Sequence, residues 1–394
     1  PQGARLRRRL VNDLPQGTTI HWHGIRIDNV MDGVPGLTQD LVEPGETFDY
    51  DFTLPDAGTY WYHTHNRTWE QMARGLSGPL IVDEPDGPDI DRDLVLHLAD
   101  WRMQEPAAFT ADFGSPMDRS HAGRIGNYVT VNGVAEARYP VAGHQRLRLR
   151  LINAAPARVF ELALQGLEGW VVALDGMPLE TPQRAETLTL APAQRADLLV
   201  DVTAQPGEDA FLIEMFRGEG FALALFPVSA GSRARRTAPP ALPPNPGQAA
   251  AIDLTQAQTA PLDMQGGAMR GLRQAYYRGE LLDGRALAQK GQFWALNGVA
   301  DMPESPLSLL SRGETLRIPM ANETAFPHAM HLHGHHFREV LADGTLGPWR
   351  DTLLVEPMQR REIAFAADNP GDWLFHCHML SHRASGMVSW LRVA

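Results

Sequence analysis

The chain is predicted to be all-β. Short runs rich in Val, Leu and Ile alternate throughout with clusters of Gly, Pro, Asn and Asp, the pattern of strands joined by turns. Thirty-six glycines and thirty prolines fit a fold dominated by turns. A length of 394 residues suggests two or three domains with ample core.

Taken in order, "PQGARLRRRLVNDLPQGTTIHWHG" reads as strand, turn, strand, opening late in a first domain with one or two earlier strands not represented. Its basic run, Arg5, Arg7, Arg8 and Arg9, has the charge of a nucleic-acid or membrane arm, but Leu6 and Leu10 interleave with it. That alternation marks the solvent face of a strand. Phe48–Leu54 reads as a strand, and "IVDEPDGPD" breaks the pattern near Asp83–Pro88, setting a first domain at 1–85. Arg146–Ile152, Thr187–Leu190 and Asp197–Val202 are strands of a second domain at 86–231. "SRARRTAPPALPPNPG" is too rich in proline for a core strand, so 232–291 is read as a surface linker, with a helix in Glu280–Lys290. The third domain, 292–394, starts near Phe293-Trp294. "GTYWYHTH" and "GDWLFHCH" look like an internal repeat: glycine and bulky aromatics leading a strand into a His-x-His pair.

Twelve of the fifteen histidines lie in four clusters: His21/His23, His63/His65, His328 to His336, and His376 to His382. The only cysteine, Cys377, stands between His376 and His378 and cannot form an intramolecular disulfide. Alternate side chains of a strand share a face. An extended His376–His378 therefore sends two imidazoles one way and the thiolate the other, so one segment can join two metal centres. His331 and His333 share a parity that His328 does not. Two histidines, a thiolate and a weak methionine form the ligand list of a blue-copper site. Here that list is His328, Cys377, His382 and Met387. The remaining eight imidazoles, His21, His23, His63, His65, His331, His333, His376 and His378, are too many for one ion and suit a cluster of about three. Imidazole alone does not name that metal. His97, His121 and His144 are assigned to ordinary positions, and His335 and His336 are not counted as ligands.

"HWHG", "WYHTH", "HAMHLHGHHF" and "GDWLFHCHMLSHRASGM" stand in the order of a known family, and "LRLRLINAA" and "LAPAQRADLLVDV" read like its second domain. The chain resembles a bacterial three-domain multicopper oxidase of the laccase type. The resemblance implies three cupredoxin-like Greek-key β-sandwich or barrel domains and four coppers. A type 1 copper would take His328, Cys377, His382 and axial Met387, and a type 2 copper His21 and His331. One type 3 copper would take His23, His63 and His376, and its partner His65, His333 and His378. The first and third domains would meet to build the trinuclear site, with the second as spacer. Asp32 holds the place of an acidic residue that moves protons to dioxygen in the family; Asp-Gly is equally a common turn dipeptide. Relatives often carry a glutamate after the last type 1 histidine. Arg383 stands there, and a guanidinium cannot relay protons at working pH.

The implied activity is one-electron oxidation of phenolic or other aromatic reductants, coupled to reduction of dioxygen to water, with Cys377, His376, His378 and Asp32 as the catalytic set. The reductant would dock at the edge of His328 or His382. The alternatives are oxidation of Cu(I), Fe(II) or Mn(II) in copper tolerance, and a copper-binding scaffold with little catalysis. Members that oxidise cuprous ion carry a methionine-rich insert, whereas this chain has only Met264 and Met269 there, with Thr324 and Phe326 before His328. A net charge of −12 argues against nucleic acid as a partner. No stretch has the ~18 apolar residues that span a bilayer. The expectation is a periplasmic or secreted monomer whose partners are dioxygen and a small reductant.

Overall fold

The computed structural model describes residues 1–104, 108–216 and 218–394. Its strands group into three units, and the fold is all-β as the turn-rich pattern predicts. In the first unit Arg5–Val11 runs antiparallel to Thr47–Thr53. Leu6 is buried, while Arg5, Arg7 and Arg9 point outward and pair with Asp51 and Asp49 of the neighbouring strand. The basic run is a strand face with its charges met; exposed pairs of this kind add little stability. A three-stranded sheet follows, in the order Ile20–His23, Gly58–Thr64, Ser77–Val82, with His21 opposite His63. Trp22, Tyr50 and Phe52 pack between ribbon and sheet.

The second unit is built on two six-stranded sheets around its own core, which includes Leu147, Leu149, Leu151, Leu198 and Phe226. The strand Arg146–Asn153 shows why it sits where it does. Its leucines fill that core, while the alternating Arg148 and Arg150 turn to the opposite face and are also buried. There both contact Asp197, with Glu84 beside Arg148 and Asp93 beside Arg150. Thr59 of the first unit donates to Asp197. Buried charges are tolerated only when paired in this way, and the pairing locks the first two units together.

The third unit stacks a seven-stranded sheet on a five-stranded one. The five-stranded sheet runs Leu309–Leu310, Val388–Val393, Gly371–Cys377, His328–Leu332, Thr352–Val355. Its register sets His331 opposite His376 and Met330 opposite Cys377. The expected linker over 232–291 is corrected in its second half. Gln258–Thr259 and Leu262–Gly266 pair in parallel with Thr315–Asn322, and Leu262 and Met264 are fully buried. Two apolar side chains two residues apart, Leu262 and Met264, share the buried face of a short strand that composition did not show. The helix there is Gly284–Gln289, capped by Asp283, after a hairpin of Gln274–Tyr277 and Glu280–Asp283. Leu6, Trp22 and Phe52 of the first unit belong to the same apolar cluster as Met264, Trp294, Leu332 and Phe375 of the third. No helix among the described residues is long and apolar enough to cross a membrane.

Candidate metal centres

Both His-x-His strands begin on a glycine that no other residue could replace. Gly58 has φ +146° and Gly371 φ +140°; a Cβ would stand 2.4 Å from Gly176 O in one case and 2.4 Å from Asn29 Cγ in the other. Each strand then delivers its first histidine with the same lock. His63 Nδ1 donates to the carbonyl of Thr64, and His376 Nδ1 to the carbonyl of Cys377, both at 2.9 Å. The repeat is therefore one of geometry as well as of sequence.

Cys377 Sγ lies 3.6 Å from His328 Nδ1 and 3.8 Å from His382 Nδ1, and the two nitrogens are 3.1 Å apart. All three side chains are fully buried. The outer nitrogen of each ring is occupied: His382 Nε2 donates to the carbonyl of His121 (2.6 Å) and His328 Nε2 to Thr324 Oγ1 (2.8 Å). The Thr324 hydroxyl donates to Asn322 Oδ1 (2.8 Å) and so accepts from His328, and the two bonds together leave both Nδ1 atoms unprotonated. Two lone pairs facing each other at 3.1 Å repel unless a cation sits between them. That span is also what two nitrogens about 2.0 Å from one ion would make. Burial pushes the Cys377 thiol up to about 12; a coordinating cation displaces such a proton. Met387 is fully buried in the same apolar cluster, and its carbonyl accepts from Cys377 N.

The eight other histidines converge from the first and third units into one buried cavity. His333 Nε2 faces His376 Nε2 at 3.1 Å, and His63 Nε2 faces His378 Nε2 at 3.3 Å. In the first pair both Nδ1 atoms carry their protons outward, to Asp32 Oδ2 and to the Cys377 carbonyl. His21 Nε2, His331 Nε2, His23 Nδ1 and both nitrogens of His65 are buried without a protein partner. Desolvation holds His23, His63, His65, His333, His376 and His378 well below their ordinary value. They are neutral, as ligands must be. Unpartnered buried polar atoms cost about 1–3 kcal/mol each, and their convergence is the mark of a metal cavity.

The expected sharing of the rings needs one correction. His376 lies with His65 and His333, whose donor atoms are within 4.8 Å of one another. His378 lies with His63 and His23, at ring separations of 5.1 Å from each. The family resemblance implies the reverse pairing, with His376 beside His23 and His63 and His378 beside His65 and His333. A two-residue spacing places both rings on one face, but only the docking of the first unit decides which ring meets which neighbour.

Two aspartates clasp the cavity in a crossed arrangement. Asp32, from the first unit, accepts His21 Nδ1 on its backbone carbonyl and His333 Nδ1 of the third unit on its carboxylate, both at 2.9 Å. Asp351, from the third unit, accepts His331 Nδ1 on its carbonyl (2.9 Å) and faces His23 Nε2 of the first unit with its carboxylate (3.3 Å). Asp351 was not foreseen. Its signal was a lone carboxylate inside the apolar stretch "PWRDTLLV". It binds the fully buried Arg195 of the second unit at 2.6 Å, and the Asp175 carboxylate lies 3.7 Å from the same guanidinium. Burial alone would raise the Asp351 carboxyl; Arg195 and His23 hold it well below the usual range. The second unit, which supplies none of the predicted ligands, thus reaches the cavity through Arg195. His336 also joins this network, donating to the Asp175 carbonyl. His121 proves more than ordinary, since its carbonyl orients His382. Arg383 is partly buried, its guanidinium lowered to about 10 by burial, and its charge acts on His65, His333 and His376.

Residues 1–87, 92–222 and 279–394 each match a family described as multicopper oxidase. Multicopper oxidase MmcO of Mycobacterium tuberculosis is 31% identical over 420 residues, covering 97% of this chain and 78% of that protein. The iron transport multicopper oxidase fetC of Epichloe festucae is 27% identical, over 98% of this chain and 69% of its own. The crystal structure of Lac15 from a marine microbial metagenome superposes with a TM-score of 0.79 at 42% identity, over all of this chain and 90% of that one. Each unit is cupredoxin-like. With its thiolate centre and its eight-imidazole cavity, the chain belongs to the multicopper oxidases, copper oxidoreductases that use dioxygen and bind four coppers: one type 1, one type 2 and two type 3.

Proposed function

We propose that this protein is a laccase-type oxidase, taking single electrons from phenolic and other aromatic reductants and spending four of them on each dioxygen to give two waters. One observation carries the choice of an organic reductant: the stretch flanking His328 offers a metal ion no set of soft donors. Met264 is fully buried in the core, Thr324 is buried and engaged by His328, and Phe326 presents only ring carbon. Met269 alone is exposed there.

On this reading the type 1 copper is held by His328, Cys377, His382 and Met387, and the type 2 copper by His21 and His331. The type 3 pair is held by His23, His63 and His378 and by His65, His333 and His376. Bound copper supplies the one-electron chemistry and the surface on which dioxygen is reduced. The chain does the rest. Cys377 is covalently continuous with His376 and His378, so the two centres are joined through bonds and no mobile carrier is needed. Burial keeps water from the donor atoms, and the outer hydrogen bonds hold each ring in one tautomer. Asp32 holds His333 with Oδ2, while Oδ1, 3.1 Å from a His21 Nδ1 that donates to the Asp32 carbonyl, makes no hydrogen bond and is the atom we assign to holding and passing a proton. Arg383 cannot take that part. The same reading puts the protein outside the cytosol, in the periplasm or the medium, which cell fractionation tests.

A metallo-oxidase is the second reading, favoured by the exposed side chains Met269 and Met358 and by the name of the fetC relative. Oxygen uptake with a phenol and, side by side, with Cu(I), Fe(II) and Mn(II) separates the two. Faster uptake with the phenol is expected. An ion turned over with the phenol idle reverses the order, and no uptake with any donor leaves only the scaffold. Cys377→Ser should lose the blue absorption and phenol oxidation together; survival of either removes Cys377 from its assigned place.

A further inference from the structure

A reductant cannot touch either type 1 ring. His328 and His382 are fully buried, and their outer nitrogens are occupied by Thr324 and the His121 carbonyl. The electron must enter through a covering group. Trp294 is placed for this: its ring centroid is 4.4 Å from that of His382 and 5.1 Å from that of His328. Trp294 is itself buried, but above it lie Gly266 and Gly267, both with positive φ. A Cβ on Gly267 would come within 2.5 Å of Trp294 Cη2. This is a close approach of backbone to ring that only glycine allows.

Gly266 also lines a surface cleft of about 770 Å³, together with Arg270, Gly271, Leu272, Arg273, Glu323 and Met358. Among the described residues, neither Arg270 nor Arg273 has a carboxylate partner. The contrast is with a cleft of similar size, 810 Å³, on the same unit. Two of its three guanidiniums, Arg317 and Arg361, are paired with Glu362 and Glu339, and Gly266 is not among its walls. The cleft beside Gly266, whose backbone pairs with that of Trp294, sets two free guanidiniums against one carboxylate, Glu323, on a chain whose net charge is −12. Guanidinium forks match carboxylates, and Leu272 with the Met358 thioether offers an aromatic ring an apolar wall.

We propose that the cleft over Gly266 seats an aromatic anion, a phenol bearing a carboxylate, and that Trp294 conducts its electron to His382 and His328. The proposal rests on the phenol-oxidising reading above. Each docked phenol loses one electron and its hydroxyl proton, leaving a phenoxyl radical. The electron reduces the Cys377 centre by one, and the proton leaves to water. Four such events supply the four electrons that one dioxygen needs, and its four protons are drawn back from solvent.

The test uses the fully reduced holoenzyme without oxygen, in which binding is measured free of turnover. Calorimetry with 4-hydroxybenzoate, phenol and 4-hydroxybenzylamine should rank the anion tightest, by roughly tenfold over phenol. The double variant Arg270→Ala/Arg273→Ala should collapse that ratio. Oxidised holoenzyme is then mixed anaerobically with 4-hydroxybenzoate, and bleaching of the blue band is followed. Trp294→Phe should slow bleaching several-fold at unchanged affinity and unchanged type 1 potential, and Trp294→Tyr should restore part of the rate. If the Phe variant does not hold copper, Trp294→Tyr against the parent carries the comparison. Equal binding of the three probes overturns the docking site. Unaltered bleaching, or a potential shift that accounts for the slower rate, overturns the conduit. Failure of the underlying reading looks different: no phenol bleaches the parent enzyme, while Fe(II) or Cu(I) does.

Discussion

Asp32 and Asp351 occupy equivalent places in the two halves of the histidine cavity, yet their surroundings make them different reagents. Each lends its carbonyl to a histidine of its own unit and its carboxylate to a histidine of the other. Asp351 is also clamped by Arg195 and by the Thr352 hydroxyl, and is held ionised. Asp32 has no cationic side chain other than histidine on its carboxylate, and its Oδ1 makes no hydrogen bond, since His21 Nδ1, 3.1 Å away, donates to the Asp32 carbonyl instead. The lesson is that two carboxylates matched in position divide the work by their counter-charge. Asp351 is a fixed anion that holds three units together; Asp32 is the one with an oxygen to spare.

Substituting Asp351→Asn should have the larger effect, because it strips the buried Arg195 of its nearest carboxylate. Breaking a buried pair costs about 3–5 kcal/mol. Thermal unfolding should show that loss together with reduced copper content; a stable, fully loaded variant would make the clamp dispensable. Asp32→Asn keeps an oxygen for His333 Nδ1 but cannot hold a proton. Copper content and the blue band should persist while turnover falls by about 10–100-fold, the usual range for partners of ligating histidines. Equal loss of copper in both variants would erase the distinction.

Glu214 sharpens the comparison from a place without metal. It is buried in the second unit, and burial raises its carboxyl from 4.5 to about 7, with Oε2 unpartnered. The folded state then binds more protons than the unfolded one between those values. The sign follows: stability falls as pH rises from 4.5 towards 7 and is flat above. Glu214→Gln should flatten that slope, so that melting curves at pH 5 and pH 8 differ less than in the parent. An unchanged slope would mean that Glu214 is solvated after all. The smallest structural change, Met387→Leu, should keep the blue band and raise the type 1 potential in a redox titration. An unchanged potential removes Met387 from the axial position.

Much of the site was legible because ligand chemistry and strand periodicity act over a few residues. The parity of His328 against His331 and His333 separated the two centres, and Cys377 joined them. What was not legible depends on docking. His376 and His378 share a face, so their neighbours are chosen by where His23, His63 and His65 arrive from the first unit. Asp351 carries no local mark beyond its charge, and its meaning comes from Arg195, 156 residues away in sequence. The strand Leu262–Gly266 was hidden because its register is supplied by Thr315–Asn322 and not by its own pattern. The closed edges of His328 and His382 are likewise set by loops, those holding Thr324 and His121.

The shared apolar cluster of the first and third units has a consequence for maturation. Every ligand assigned to the sulfur centre lies within His328–Met387, so one unit brings all four together, and the second unit adds only the His121 carbonyl that orients His382. The eight-histidine cavity is split four and four between distant stretches of chain, and exists only after the two halves have closed on each other. Metal loading therefore has a built-in sequence. A newly made chain can acquire its blue ion first, and a protein with colour but no oxygen consumption is the natural intermediate.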